Sequence, residues 1–132
     1  GDVAADATRG NLSTRGFGDP GDNAMIAGVT VGGGSSQILV RALGVELIPF
    51  GVTDPLQDTV LELRDKNGGL ITSNDDWKET QQAAIEATGY APTDDRESAI
   101  LMTLAPDSYT AIVRGKGGTT GVALVEAYNA SP

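Results

Sequence analysis

The chain contains no cysteine and no histidine. The first absence removes thiol nucleophiles, iron–sulfur clusters and structural disulfides. The second removes the Ser-His-Asp triad, the imidazole base and histidine-ligated zinc. Aromatic residues make up only 5% of the chain, with a single tryptophan, so a groove paved with sugar-stacking rings is not to be expected. Basic residues are also scarce, 9 against 18 acidic, for a net charge of -9. Such a surface repels phosphate backbones, and no basic stripe reverses the sign locally, so nucleic acid is not an expected partner. Anionic membranes are disfavoured for the same reason. The longest apolar runs, such as Gly121–Val125, are far too short to span a bilayer. No basic leader with an apolar segment opens the chain, which implies that any signal peptide has been removed or never existed. No SxxK pattern, Walker loop or GxGxxG turn supplies a substitute catalytic apparatus, so the chain reads as non-enzymatic.

What is present is 132 residues, 39% of them hydrophobic, with 18 glycines and six prolines. This suffices for one domain with a core of its own. Most of it alternates with period two between turn signals. In Met25–Val31, Met25, Ala27, Val29 and Val31 share one face; in Thr59–Asp65, Thr59, Leu61 and Leu63 do. Gln37–Leu43 and Gly121–Asn129 read as further strands. Lys66-Asn67-Gly68-Gly69 predicts a hairpin turn into a returning strand Leu70–Ser73, because Asn-Gly accepts left-handed backbone. Ser98–Leu104 and Ser108–Arg114 read as a second hairpin across Ala105-Pro106-Asp107. Lys78–Thr88 is rich in helix formers and is followed by Gly89 in C-cap position, which predicts one short helical insertion. Val45–Gln57, with Pro49, Gly51 and Pro55, predicts a long connection between sheets. The fold class is therefore all-β, an antiparallel β-sandwich or jelly roll of about eight strands. Gly1–Gly10 forms an arm, either mobile or ordered against a neighbouring subunit, and residues 11–132 form the sandwich domain.

Acidic residues collect on the loops. Asp54 and Asp58 flank Pro55-Leu56-Gln57; Asp65, Asn67, Asp75 and Asp76 surround the Leu70–Ser73 strand; Asp94, Asp95 and Glu97 follow Pro92. Hard cations such as calcium take six to eight oxygen ligands, so Asp65, Asn67, Asp75, Asp76, Asp94 and Asp95 are the candidate metal ligands. The spacing is not that of an EF-hand, because the glycine position holds Leu70 and the flanks are strands. The alternative is that these are Asx-type turns, with carboxylates accepting from nearby backbone amides, and that Asp94 with Glu97 is a cap. Trp77 reads either as a ligand platform or as a buried plug beneath the Lys78–Thr88 segment.

Several stretches, in order, resemble a β-sandwich module found, often near the C-terminus, in large secreted and cell-surface proteins of environmental bacteria. They are Asn11–Phe17 (NLSTRGF), Gly21-Asp22-Asn23, Val40–Gly44 (VRALG), Thr59–Gly68 (TVLELRDKNG), Ser73–Trp77 (SNDDW), Ala91–Ile100 (APTDDRESAI) and Tyr109–Glu126 (YTAIVRGKGGTTGVALVE). The turn DKNG followed by SNDD is also similar to bacterial pre-peptidase C-terminal domains, some of which bind calcium. One departure stands out: after VRALG that module is expected to continue Pro-Ser, whereas this chain has Val45-Glu46. The resemblance implies an extracellular, non-catalytic module, secreted or on the cell surface, and brings no catalytic residues.

Two functions then compete. One is a self-assembling subunit of a filament or surface layer, in which the arm or the strand Asn11-Leu12-Ser13-Thr14-Arg15-Gly16-Phe17 completes the sheet of the next copy, giving a homo-oligomer or polymer. The other is a calcium-stabilised accessory module that attaches to polysaccharide or to a cell-surface protein.

Overall fold

A computed structural model of the protein describes residues 2–6, 16–18 and 25–131. Among the described residues, nine strands lie in two sheets: β1 (Asp2–Asp6), β2 (Gly16–Gly18), β3 (Met25–Val31), β4 (Ser36–Leu43), β5 (Thr59–Asp65), β6 (Leu70–Asn74), β7 (Ser98–Leu104), β8 (Asp107–Gly115) and β9 (Ala123–Asn129). The larger sheet has the order β1-β3-β8-β5-β6 and the smaller β2-β9-β4-β7. All neighbours run antiparallel except β1, which lies parallel to β3. This is the expected all-β sandwich. The candidate assembly stretch meets it only at Gly16 and Phe17, which fall in β2; Asn11, Leu12, Ser13, Thr14 and Arg15 lie outside the described residues.

The alternation read from the sequence sets the faces. Met25, Ala27, Val29 and Val31 of β3 meet Leu61 and Leu63 of β5, Ala111 and Val113 of β8, and the inward residues of β4 and β9 in one core. A strand whose alternate residues are apolar can bury one face only, and two such sheets bury theirs against each other. At one end a polar staple joins the layers. The buried hydroxyls of Thr59 and Ser98 lie 2.7 Å apart, and Ser98 Oγ also reaches the Thr59 and Asp75 carbonyls at 2.6 and 2.7 Å.

One expected pairing is not found. β7 and β8 are not a hairpin: β7 pairs with β4 in the smaller sheet, while β8 pairs with β3 and β5 in the larger. The Ala105–Pro106 turn is an arch between layers. β7 carries a continuous apolar run, Ala99–Met102, and β8 is apolar from Tyr109 to Val113 with Thr110 between, and such local patterns do not distinguish a turn within a sheet from one between sheets.

The helical insertion is found as α1 (Gln82–Thr88), closed by Gly89 at φ 80°. It lies on the outer face of the smaller sheet. There Trp77 and Ile85 pack with Leu39, Ala99, Leu101 and Tyr128 in a second, smaller core. Trp77 is buried, on the sheet's outer face. The connection after β4 begins with a short 3-10 helix, Val45–Phe50, ended by Gly51 at φ 95°.

Candidate functional site

The β5–β6 hairpin brings one acidic cluster together. Its register sets Leu61 opposite Asn74, so residues just before β5 sit beside those just after β6. Asp58, Asp75 and Asp76 thereby place one carboxylate oxygen each within 4.8 Å of one another. Asp58 Oδ1 and Asp75 Oδ1 are buried without a hydrogen-bond partner. Two acceptors at such close range need a proton or a cation nearby. Burial first, then the adjacent Asp75 carboxyl, push the Asp58 carboxyl above its ordinary value. Burial, a hydrogen bond with Glu79 and the neighbouring carboxylates push Asp76 up to about 6. Lys116 Nζ offsets part of the charge at 2.5 Å from Asp75 Oδ2. The donor set is hard oxygen, two of its oxygens lack donors, and the Lys116 ammonium is in ion-pair contact with Asp75. That fits calcium with water completing the shell.

Of the six metal candidates read from the sequence, two are in this cluster, Asp75 and Asp76. Asp65 and Asn67 lie at the far end of β6. There Asp65 Oδ1 accepts from the amides of Asn67 and Gly69, each at 2.9 Å, as an Asx turn does. Asp94 accepts from the Arg96 amide and guanidinium at 2.9 and 3.0 Å, which holds its carboxyl below the ordinary range. Asp95 pairs with Lys78 at 2.8 Å. Asp58 was outside the candidate set, although counting outward from the Asn67-Gly68 turn along both strands puts it beside Asp75 and Asp76.

A second feature escaped the sequence reading. On the outer face of the smaller sheet, beside the 3-10 helix, lies a groove of about 870 Å³. Its floor is Arg41 and Leu43 of β4 with Leu124 and Glu126 of β9. One wall is the 3-10 helix, ending in Phe50, which is 84% exposed; the other contains Ala91 and Thr93. Arg41 lies directly across from Glu126 in the β4–β9 register. Its Nε and Nη2 donate to Glu126 Oε1 at 3.1 and 2.8 Å, and its Nη1 donates to the Tyr90 carbonyl at 2.9 Å. The guanidinium is thus committed within the fold and is not presented to an anionic ligand. Glu46 Oε1 accepts from the Thr93 amide and hydroxyl at 2.8 and 2.5 Å, which ties the two walls together.

Behind the groove, fully buried Glu97 holds the start of the 3-10 helix. Its Oε2 accepts from the amides of Gly44 and Glu46 at 2.7 and 3.3 Å, and its Oε1 has no partner. Burial outweighs those two bonds and raises its carboxyl to about 8. The Val45-Glu46 departure from the expected Pro-Ser falls on this turn: Ser in place of Glu46 would not reproduce the Glu46–Thr93 tie.

Fold and site together define a β-sandwich with an acidic cluster at one end and an apolar groove on one face. No protein-family profile and no curated protein matches the sequence. Among solved structures, the pre-peptidase C-terminal domain of a collagenase from Bacillus anthracis is similar in fold, with TM-score 0.56 and 9% identity, over 96% of this chain and 94% of that one. PliG, a periplasmic inhibitor of g-type lysozyme from Aeromonas hydrophila, aligns at TM-score 0.46 and 10% identity, over 97% of this chain and 98% of that one. A β-glucosidase from Paenibacillus barengoltzii aligns at TM-score 0.43 and 14% identity, over 96% of this chain and 11% of the enzyme. The pre-peptidase C-terminal likeness drawn from DKNG and SNDD thus extends to the fold. Among the described residues, no helix is long and apolar enough to cross a membrane.

Proposed function

We propose that the chain is a non-catalytic attachment module, secreted or at the cell surface, whose binding surface is the groove beside the 3-10 helix. The observation that carries this reading is the groove's chemistry. It is open and largely apolar, its one guanidinium is already engaged, and Phe50 stands out from its rim. Large exposed apolar side chains at a concave surface mark interaction sites. Among the described residues that line it, Phe50 alone supplies an aromatic ring, so the groove suits an apolar protein segment better than a polysaccharide. Selection of random peptides against the immobilised module tests this. Apolar peptides should be enriched and should lose binding to Phe50→Asp. Enrichment that ignores Phe50, or saturable binding on a glycan array instead, would overturn it.

Calcium belongs to the same reading. Asp58, Asp75 and Asp76 would hold it, and the ion would supply the positive charge that a proton otherwise supplies to these oxygens. Both raised carboxyls stabilise the fold at low pH and lose that contribution as pH rises through their folded values. Calcium should therefore raise the melting temperature at pH 7.5 and do much less at pH 5, where Asp76 holds its proton. Equal midpoints in calcium and in chelator at pH 7.5 would remove the metal.

A second reading, a self-assembling subunit of a filament or surface layer, has one observation in its favour. β1 already adds a strand to the edge of a sheet, next to β3. The same strand donated to the next copy gives an open head-to-tail chain. Electron microscopy would show fibres that vanish on deletion of Gly1–Phe17; unchanged fibres, or none from the full chain, would exclude this route.

A further inference from the structure

β7 is the outer strand of the smaller sheet, hydrogen-bonded to β4 on one side only. Its sequence, SAILMTL, has no charge, proline or glycine. Such a strand is a template for pairing with another chain unless something covers it. Residues 74–88 do so in a specific way. The Trp77 amide donates to the Glu97 carbonyl at 3.0 Å. The Ala99 amide donates to Asn74 Oδ1 at 3.0 Å. The Leu101 amide donates to Gln81 Oε1 at 3.1 Å, and Gln81 Nε2 donates back to the Leu101 carbonyl at 2.8 Å. Residues 97, 99 and 101 are the alternate positions whose backbone groups point away from β4. The Gln81 amide offers Leu101 one acceptor and one donor, as a residue of a neighbouring strand would.

The cover is held from both ends. Asn74, itself buried, donates through Nδ2 to the Asp76 carbonyl at 3.1 Å. Trp77 and Ile85 anchor the segment in the second core. Its hydrogen bonds stop at Leu101, and Thr103, the next outward position by alternation, is exposed.

We infer that residues 74–88 are a built-in guard over the β7 edge, with Gln81 as its strand-mimicking residue, and that the partner they exclude is β7 of a second copy. Two uncharged identical strands pair antiparallel across a two-fold axis with no like charges opposed, which joins two four-stranded sheets into one. This edge is distinct from the groove and from the β1 edge, so the inference rests on neither reading above.

Sedimentation velocity over a wide concentration range, with hydrogen exchange, tests it. Wild type should show no dimer through this edge and a protected Leu101 amide. Gln81→Ala should lose about tenfold of that protection when dilute, and should sediment towards the dimer with rising concentration. Gln81→Met keeps the apolar stem, removes the amide and carries the same expectation should the alanine variant fail to fold. Thr103→Pro removes an outward amide that β4 does not use, and added to either variant it should restore the monomer. A folded variant that loses Leu101 protection yet stays monomeric would overturn the inference. So would a dimer that survives Thr103→Pro.

Discussion

Glu97→Gln isolates the effect of a single buried carboxyl on stability. Glu97 is fully buried, its carboxyl lies at about 8 in the folded protein, and the ordinary value is 4.5. A carboxyl raised on folding contributes its full stability below the unfolded value and loses it as pH climbs through the folded one. The window is therefore pH 4.5 to about 8. At about 1.4 kcal/mol per pH unit the loss totals about 5 kcal/mol, of which about 3 has gone by pH 7. That is a large share of the ~5–15 kcal/mol of a typical domain. Glutamine keeps an acceptor for the Gly44 and Glu46 amides and does not titrate. Urea unfolding followed by the fluorescence of Trp77, the sole tryptophan, gives the measurement across pH 5 to 9 in chelator, where Asp58 and Asp76 contribute equally to both proteins. Glu97→Gln should gain steadily on wild type as pH rises, reaching about 4 kcal/mol near pH 8. Parallel curves, or a wild type that gains with pH, would refute the burial argument.

Arg41→Met removes the guanidinium opposite Glu126, whose side chain is 3% exposed, and should cost about 3 kcal/mol in urea unfolding; Glu126→Leu added to it should recover most of that loss. Gly44→Ala would place a methyl 1.9 Å from the Leu56 carbonyl oxygen, while the Leu56 amide is tied to Val122 at 2.8 Å. It should cost about 3 kcal/mol, whereas Gly34→Ala, with open space around it, should fall within about 0.5 kcal/mol of wild type. Trp77→Ala empties the second core and should cost about 4 kcal/mol, read from the thermal transition in circular dichroism.

The strands and their faces were legible in the chain itself. Period-two alternation at Met25–Val31 and Thr59–Asp65 names the buried side, because a pleated strand has no other way to sort its side chains. Asn67-Gly68-Gly69 closes the turn, with Gly68 at φ 86°, and Gly89 ends the helix at φ 80°. These are local properties of backbone and neighbouring residues. The strand faces, the Asn67–Gly69 turn and helix α1 follow from them.

Partnership between distant residues is decided elsewhere. Nothing in SAILMTL or DSYTAIVRG says that the two strands join different layers; that depends on which sheet offers each a complementary edge. Asp58 meets Asp75 and Asp76, and not Asp65, through the register of a hairpin. Arg41 meets Glu126 across 85 residues, and Glu97 reaches Gly44 across 53. Charge and burial act through space, so sequence composition supplies the groups, and long-range pairing determines which of them share a proton, a cation or a buried ion pair.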